Sequence, residues 1–229
     1  RNRDYLVEVP ADCVAAFDEA AHRFALDHME NVLGVTVLNK TEERFPPSPE
    51  VLSGETADIY FRRTVDILGE EGLDPVAVME IFANRPGLLC GMEEALALLR
   101  RVLPEDNREV WCVPQGTEVA AKEVVLRIKA PYRSYGLYET ALGGMLAHPT
   151  GWATAARACV EAAGDIPVIS FGARHVHPSV AGIMDYAAVM AGCAGCSSVI
   201  GARLADLEPS GTIPHALVLA VGDTVQATM

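Results

Sequence analysis

The densest cluster of side chains able to do chemistry is Phe171-Gly172-Ala173-Arg174-His175-Val176-His177-Pro178. It follows Ile166-Pro167-Val168-Ile169-Ser170, a short apolar run of the kind that makes a buried strand, so it is expected in a loop at a strand's carboxyl end, where α/β folds gather their sites. Arg174 offers a planar fork that can grip a carboxylate or phosphate with two parallel hydrogen bonds, and Phe171 offers a flat apolar face to an aromatic ring. The plainer alternative is a core Phe171 and an Arg174 in a surface ion pair.

A second cluster is Pro209-Ser210-Gly211-Thr212-Ile213-Pro214-His215. Ser210 or Thr212 can cap a helix, Pro214 suits its first turn, and His215 then stands near free backbone N–H groups that attract anions. A histidine there can act as acid, base or nucleophile, or simply as a hydrogen-bonding residue of the helix start. The third candidate is Asp58-Ile59-Tyr60-Phe61-Arg62-Arg63-Thr64, where Tyr60 and Phe61 fall on different faces of a short helix and one of them is expected in the core.

Metal chemistry is less well supported. His175 and His177 form an HxH, with His215 and Asp223 further along, but Pro178 starts the next helix and no further ligand set is visible, whereas a metal centre needs at least three ligands and their supporting shell. Cys193-Ala194-Gly195-Cys196 has the spacing of a zinc or redox half-site without a second pair, so small-residue packing is the expectation.

The elements that must position these clusters are readable from periodicity. Residues 11–33 carry Val14, Phe17, Ala21, Phe24, Leu26 and Met29 at helical spacing, closed by Gly34. The stiff run Phe45–Glu50 is expected as a linker. Thr56–Leu68 reads as helix, Pro75–Ala83 as strand, Gly91–Leu103 as an amphipathic helix stopped by Pro104, and 109–113 and 118–130 as strands, which together make a small α+β layer domain. From Tyr138 the texture changes to a long small-residue helix, the strand before Phe171, a helix from His177, a strand and turn over Cys196–Leu204, and a helix over Pro214–Asp223. That is the rhythm of parallel α/β units. The expected fold is thus α/β: residues 1–50 a helical segment and linker, 51–135 a small α+β layer domain, and 136–229 the first part of an α/β barrel. A closed eight-strand barrel takes about 250 residues, so no barrel is expected to close within this chain.

Composition sets the outer bounds. Of 229 residues, 50% are hydrophobic and 21% charged, which suits a globular chain, and the formal charge of −13 with scattered basic residues disfavours nucleic acid and anionic membranes. An anionic substrate would need a local basic pocket. No apolar run approaches the roughly 18 residues that span a bilayer, and the first residues lack the apolar core of a secretory signal, so a cytoplasmic location is expected. The cysteines at 13, 90, 112, 159, 193 and 196 are too sparse and uneven for a disulfide scaffold.

Five stretches in this order, Asp58–Thr64, Ala130–Gly144, Gly151–Gly164, Ser170–Pro178 and Pro209–Asp223, resemble successive landmarks of nicotinate phosphoribosyltransferases of the archaeal and thermophilic bacterial type, over about residues 52–229. The resemblance implies a nicotinate ring sandwiched between Phe171 and a Tyr60 from a neighbouring subunit, with Arg63 in the same Tyr60 motif. It gives Arg174 to the carboxylate or a phosphate and Thr212 to nicotinate, and it aligns His215 with a histidine phosphorylated by ATP in many members. It further implies that residues 51–135 form an open-faced α+β sandwich and 136–229 an incomplete irregular α/β barrel, with phosphoribosyl pyrophosphate as co-substrate, Mg²⁺ as cofactor, nicotinate mononucleotide as product, and a homo-oligomer.

Two departures stand out. The family's aspartate in the turn after the third helix is Ala194 here. The chain also stops at Met229, ahead of the family's glycine-rich and Asp-Thr-Pro segments, and begins with Arg1. The rest of the barrel is therefore expected from a second chain or a continuation. The alternative is a non-catalytic paralogue that binds a pyridine or nucleotide or partners a complete subunit, and a quinolinate-specific relative is the third reading.

Overall fold

The structure is a computed structural model that describes residues 44–228 and, ahead of them, 8–10, 24, 25, 28 and 36–38. The helix expected over 11–33 lies largely outside the described residues. Contacts divide the chain into Arg1–Arg44 and Phe45–Met229. In the first unit, strands β1 (Glu8–Pro10) and β2 (Thr36–Leu38) pair in parallel.

The second unit opens with α1 (Pro49–Leu52), where the Ser48 hydroxyl accepts from the Val51 N–H and proline takes the first turn, and continues with α2 (Ile59–Glu70). Strand β3 (Val76–Phe82) alternates exposed and half-buried residues, as a strand with one covered face must. It pairs antiparallel with β7 (Val124–Pro131), which also pairs antiparallel with β5 (Glu109–Cys112), giving the order β3-β7-β5. The covered face carries Met79, Ile81, Leu126, Ile128 and Ala130, and α3 (Met92–Val102) lays Ala95, Leu98 and Leu99 against them. Each fully buried leucine there contributes about 1.5–3 kcal/mol. Leu103 ends α3 in an extended conformation because Pro104 excludes the helical one. The other face is open, as an open-faced sandwich requires.

The strand expected over 118–130 is broken. Its start, β6 (Glu118–Val119), pairs instead with β4 (Gly87–Leu88), and the chain turns at Ala120–Glu123, where Lys122 adopts φ 67° and the Glu123 carboxylate accepts from the Ala120 N–H at 2.7 Å. Short side chain–backbone bonds of this kind compete with a ladder, which continuous β propensity does not reveal.

After α4 (Tyr132–Tyr135), the 25-residue helix α5 (Glu139–Ala163) runs with Pro149 inside it. A proline donates no N–H, which frees the carbonyl one turn back, that of Met145. Gly91 sits against that carbonyl with φ 92°, and a Cβ on Gly91 would collide with it. Thr150 and Thr154 then stitch the helix to β4 and beyond. The Cys90 N–H donates to Thr150 Oγ1 at 3.0 Å, and the Leu88 N–H to Thr154 Oγ1 at 2.9 Å. Phe45, from the expected linker, is buried and meets Tyr186 edge-on at 5.0 Å in a second core with Leu88, Cys90, Ala153 and Ala187.

The last third holds one β-α-β unit. Strands β8 (Ile169–Ser170) and β9 (Gly195–Cys196) pair in parallel, joined by α6 (Pro178–Met190). Where a strand and turn are expected over Cys196–Leu204, Val199–Leu204 is the helix α7, capped by the Ser198 hydroxyl that accepts from the Gly201 N–H at 3.1 Å. A short apolar run suits either state, and the cap decides it. Helices α8 (His215–Val221) and α9 (Thr224–Thr228) follow. Among the described residues the sheets are open and no barrel closes.

Candidate functional site

The β8–β9 pair determines where the candidate residues emerge. Ser170 lies opposite Cys196, the Ser197 N–H donates to the Ser170 carbonyl at 2.9 Å, and the Ser210 N–H donates to the Cys196 carbonyl at 2.8 Å. Phe171–Pro178 leaves from the end of one strand, and Ser210 is tied to the end of its parallel neighbour. Both loops therefore start from the same carboxyl edge, the position at which open α/β sheets expose ligand-binding groups.

Within the first loop, Ala173–His175 forms a 3₁₀ turn that presents exposed Arg174 and His175. Arg174 has no hydrogen-bond or ion-pair partner among the described residues. Phe171 is 45% exposed, so it is not a core residue here. His177 caps α6: its Nδ1 accepts from the Ser179 N–H at 3.3 Å and lies 2.7 Å from the Ser179 hydroxyl. A histidine whose Nδ1 accepts from the backbone carries its proton on Nε2 when neutral, which leaves that nitrogen a donor rather than a metal ligand. Among the described residues no group of three or more His, Cys, Asp or Glu side chains converges.

The second loop corrects the expected cap. Neither Ser210 nor Thr212 caps α8, because Pro214 occupies the N-cap position, with φ −73° and ψ 142°, and His215 is the first helical residue. The residue before a proline avoids helical conformation, which keeps Ile213 and Thr212 outside the helix. Thr212 and His215 are both exposed.

Tyr60 and Arg63 lie on α2, and both are exposed. The Tyr60 ring is 4.3 Å from Phe61 at 45°, and its hydroxyl donates to Asp58 Oδ2 at 3.4 Å. That same oxygen accepts from the Thr140 hydroxyl at 3.0 Å, while the Asp58 N–H donates to Thr140 Oγ1 at 3.0 Å, pinning the start of α2 to the start of α5. Tyr60, Arg63, Phe171, Arg174, Thr212 and His215 border none of three clefts in the described residues, one of which, about 570 Å³, lies between the β3–β4 turn and α5, bordered by Phe82, Arg85, Leu89, Gly143, Leu146 and Gly151.

Behind the carboxyl edge is a residue that periodicity did not single out. Asp185 on α6 is fully buried, and its carboxylate accepts from the Ser170 hydroxyl at 2.6 Å and the Ser198 N–H at 2.9 Å. A lone acid among the apolar neighbours Ile183, Met184, Tyr186, Ala187 and Ala188 was the available signal, since a charge in an otherwise apolar helix is buried with it. Nearby, Cys193 and Cys196 are buried, and burial pushes the Cys196 thiol up to about 11 and raises that of Cys193.

Residues 58–150 match the N-terminal domain of the quinolinate phosphoribosyl transferases. A nicotinate phosphoribosyltransferase of Mycobacterium tuberculosis is 32% identical over 120 residues, covering 52% of this chain and 26% of the relative. The crystal structure of a nicotinate-nucleotide pyrophosphorylase from Pyrococcus furiosus superposes with a TM-score of 0.71 at 39% identity, over 80% of this chain and 48% of that one. Human nicotinic acid phosphoribosyltransferase shares the fold, with a TM-score of 0.61 at 20% identity over 71% of this chain and 40% of that one. The chain thus spans about a quarter of the bacterial relative's length and just under half of the Pyrococcus protein's.

Proposed function

We propose, for a chain related to the nicotinate and quinolinate phosphoribosyltransferases, that it belongs to an enzyme joining nicotinate to phosphoribosyl pyrophosphate, with pyrophosphate leaving and nicotinate mononucleotide formed. The observation that supports this reading is the shared carboxyl edge: Phe171 and Arg174 follow one strand, and the segment leading to Thr212 and His215 is tied to its parallel neighbour. On this reading Phe171 stacks on the pyridine ring, Arg174 takes the carboxylate or a phosphate as a bidentate donor, and Thr212 contacts nicotinate. Tyr60, with Arg63 beside it, is supplied by a neighbouring subunit of a homo-oligomer, in a cytoplasmic setting.

The pyridine nitrogen attacks the ribosyl carbon as the pyrophosphate oxygen departs. The electron-poor transition state calls for positioning and for neutralisation of the leaving group rather than a covalent nucleophile. The resemblance implies Mg²⁺, which would be carried on the substrate phosphates and would help neutralise the leaving pyrophosphate; among the described residues no group of three or more His, Cys, Asp or Glu side chains converges to hold it. His215 is the residue on which ATP coupling would act.

A second reading, a paralogue that binds a pyridine or nucleotide without turnover, is favoured by Ala194. Its N–H donates to the Val168 carbonyl at 2.8 Å beside β9, where the family pattern carries an aspartate. One assay separates the two. The native protein is incubated with phosphoribosyl pyrophosphate and nicotinate, nicotinamide or quinolinate, and the mononucleotide is quantified. Nicotinate turnover supports the first reading, preference for quinolinate moves the substrate, and binding without product supports the second.

A further inference from the structure

We propose that Asp185 is a positioning residue for the aromatic face at Phe171, acting through the Ser170 hydroxyl. The inference rests on the reading of Phe171 as the ring-stacking residue.

Asp185 is the one buried charged side chain among the described residues, at 0% exposure. Each of its carboxylate oxygens receives one neutral donor, Ser170 from the end of β8 and the N–H of Ser198 from the start of α7. Charges in a core are expensive, and apolar replacements of similar volume are often as stable, so a buried carboxylate is weak as a stabilising device and stronger as a device of specificity. What Asp185 specifies is geometry. It joins three elements, β8, α6 and α7, at the edge from which both candidate loops leave. The approach of α7 depends on Gly201, where a Cβ would collide with the Asp185 side chain.

Strand alternation makes the consequence directional. Side chains along a strand point to opposite faces, so a Ser170 drawn to Asp185 on the α6 side sends its neighbours Ile169 and Phe171 to the other side. Those two are 44% and 45% exposed, whereas the Ser170 hydroxyl is held by Asp185 of α6. The 2.6 Å bond from Ser170 holds the residue immediately before Phe171 against rotation about the strand axis. Without it, the ring is free to take orientations in which it cannot stack on a ligand.

The test measures binding of 6-fluoronicotinate to the native protein by ¹⁹F NMR alongside thermal melting, for Ser170→Ala, Ser170→Thr, Asp185→Asn and Phe171→Ala. Ser170→Ala is expected to weaken binding about fivefold, the size of one ordinary hydrogen bond, while Ser170→Thr, which keeps the hydroxyl, binds like the parent. Asp185→Asn can still accept from Ser198 while donating to Ser170, and is expected to retain most of the affinity if it folds. The proposal is overturned if Ser170→Ala binds like the parent while Phe171→Ala does not, because Asp185 is then a structural residue only. It is also overturned if Ser170→Thr fails to restore binding. If Phe171→Ala itself binds like the parent, the reading of the stacking site fails, and this inference with it.

Discussion

Phe171 is half-exposed at the end of β8, where its ring face is available to a ligand. Phe171→Ala is therefore expected to weaken nicotinate binding by about 1 kcal/mol or more, the scale of aromatic stacking plus lost apolar area. Calorimetry showing unchanged affinity would remove Phe171 from the site. For His215, transfer of the terminal phosphoryl of ATP to a ring nitrogen, with ADP leaving, would give an acid-labile phosphate on the protein. His215→Ala is expected to abolish that label and any ATP stimulation while sparing ATP-independent turnover. A mutant that only melts earlier, with no label on the parent, would make His215 a plain helix-start residue. The thiols offer a third test, since alkylation needs both the thiolate and access. At neutral pH iodoacetamide is expected to modify exposed Cys159 well before buried Cys90, Cys193 and Cys196, which peptide mapping can read. Rapid loss of the Cys193–Cys196 pair would reinstate a reactive or metal-binding motif.

Among the elements, α5 carries the most consequence, because it packs on the sandwich core through Leu142 and Leu146 and on the second core through Ala153. Its proline is matched elsewhere in the chain. Pro149 leaves the Met145 carbonyl without a helical partner, and Gly91, 54 to 58 residues earlier, is the residue small enough to sit against it. Gly91→Ala meets both a steric collision and a left-handed backbone, so a loss of about 2–4 kcal/mol is expected. Urea unfolding with a midpoint like that of the parent would show that the contact is loose. The same logic explains why α5 reads cleanly from its length and small residues while its partners do not. Which carbonyl a proline exposes is local, but what covers it is not.

At the scale of the whole molecule, the sheet β3-β7-β5 has one face on the core and one open. The open face holds Val76, Val78, Phe82 and Trp111, exposed to between 46% and 58%, interleaved with the ion pairs Arg127–Glu80 at 2.6 Å and Lys129–Glu109 at 2.7 Å. Surface ion pairs add little stability, so the apolar residues between them are the feature to explain. They fit the proposed oligomer, in which the sandwich of one subunit covers its neighbour. Light scattering is expected to show at least a dimer, and Trp111→Glu is expected to shift it towards monomer with little change in helix content. A parent that is monomeric at every concentration would count against the assembly and against a Tyr60 shared between subunits.

Regular periodicity made much of this protein legible in advance. The helices α2, α3, α5 and α6 and the strand β3 lie close to where apolar spacing, Gly91 and Pro104 place them, because those signals act within a few residues. Phe171, Arg174 and His215 were identifiable as chemistry-bearing types. The rhythm of parallel α/β units already pointed both loops to one carboxyl face, and the pairing of Ser170 with Cys196 and of Ser210 with its carbonyl fixes the edge they share. The burial of Phe45 and the role of Asp185 were likewise decided by tertiary structure, whereas the break at Ala120–Glu123 and the helix at Val199–Leu204 turn on side chain–backbone bonds spanning three residues. Each turns on a partner or a burial that residue type alone leaves open, and for Phe45 and Asp185 the partners lie far along the chain. A short apolar run is equally at home in a strand or a helix, and a lone carboxylate equally at home in water or in a core, until the rest of the chain supplies the cap or the donor.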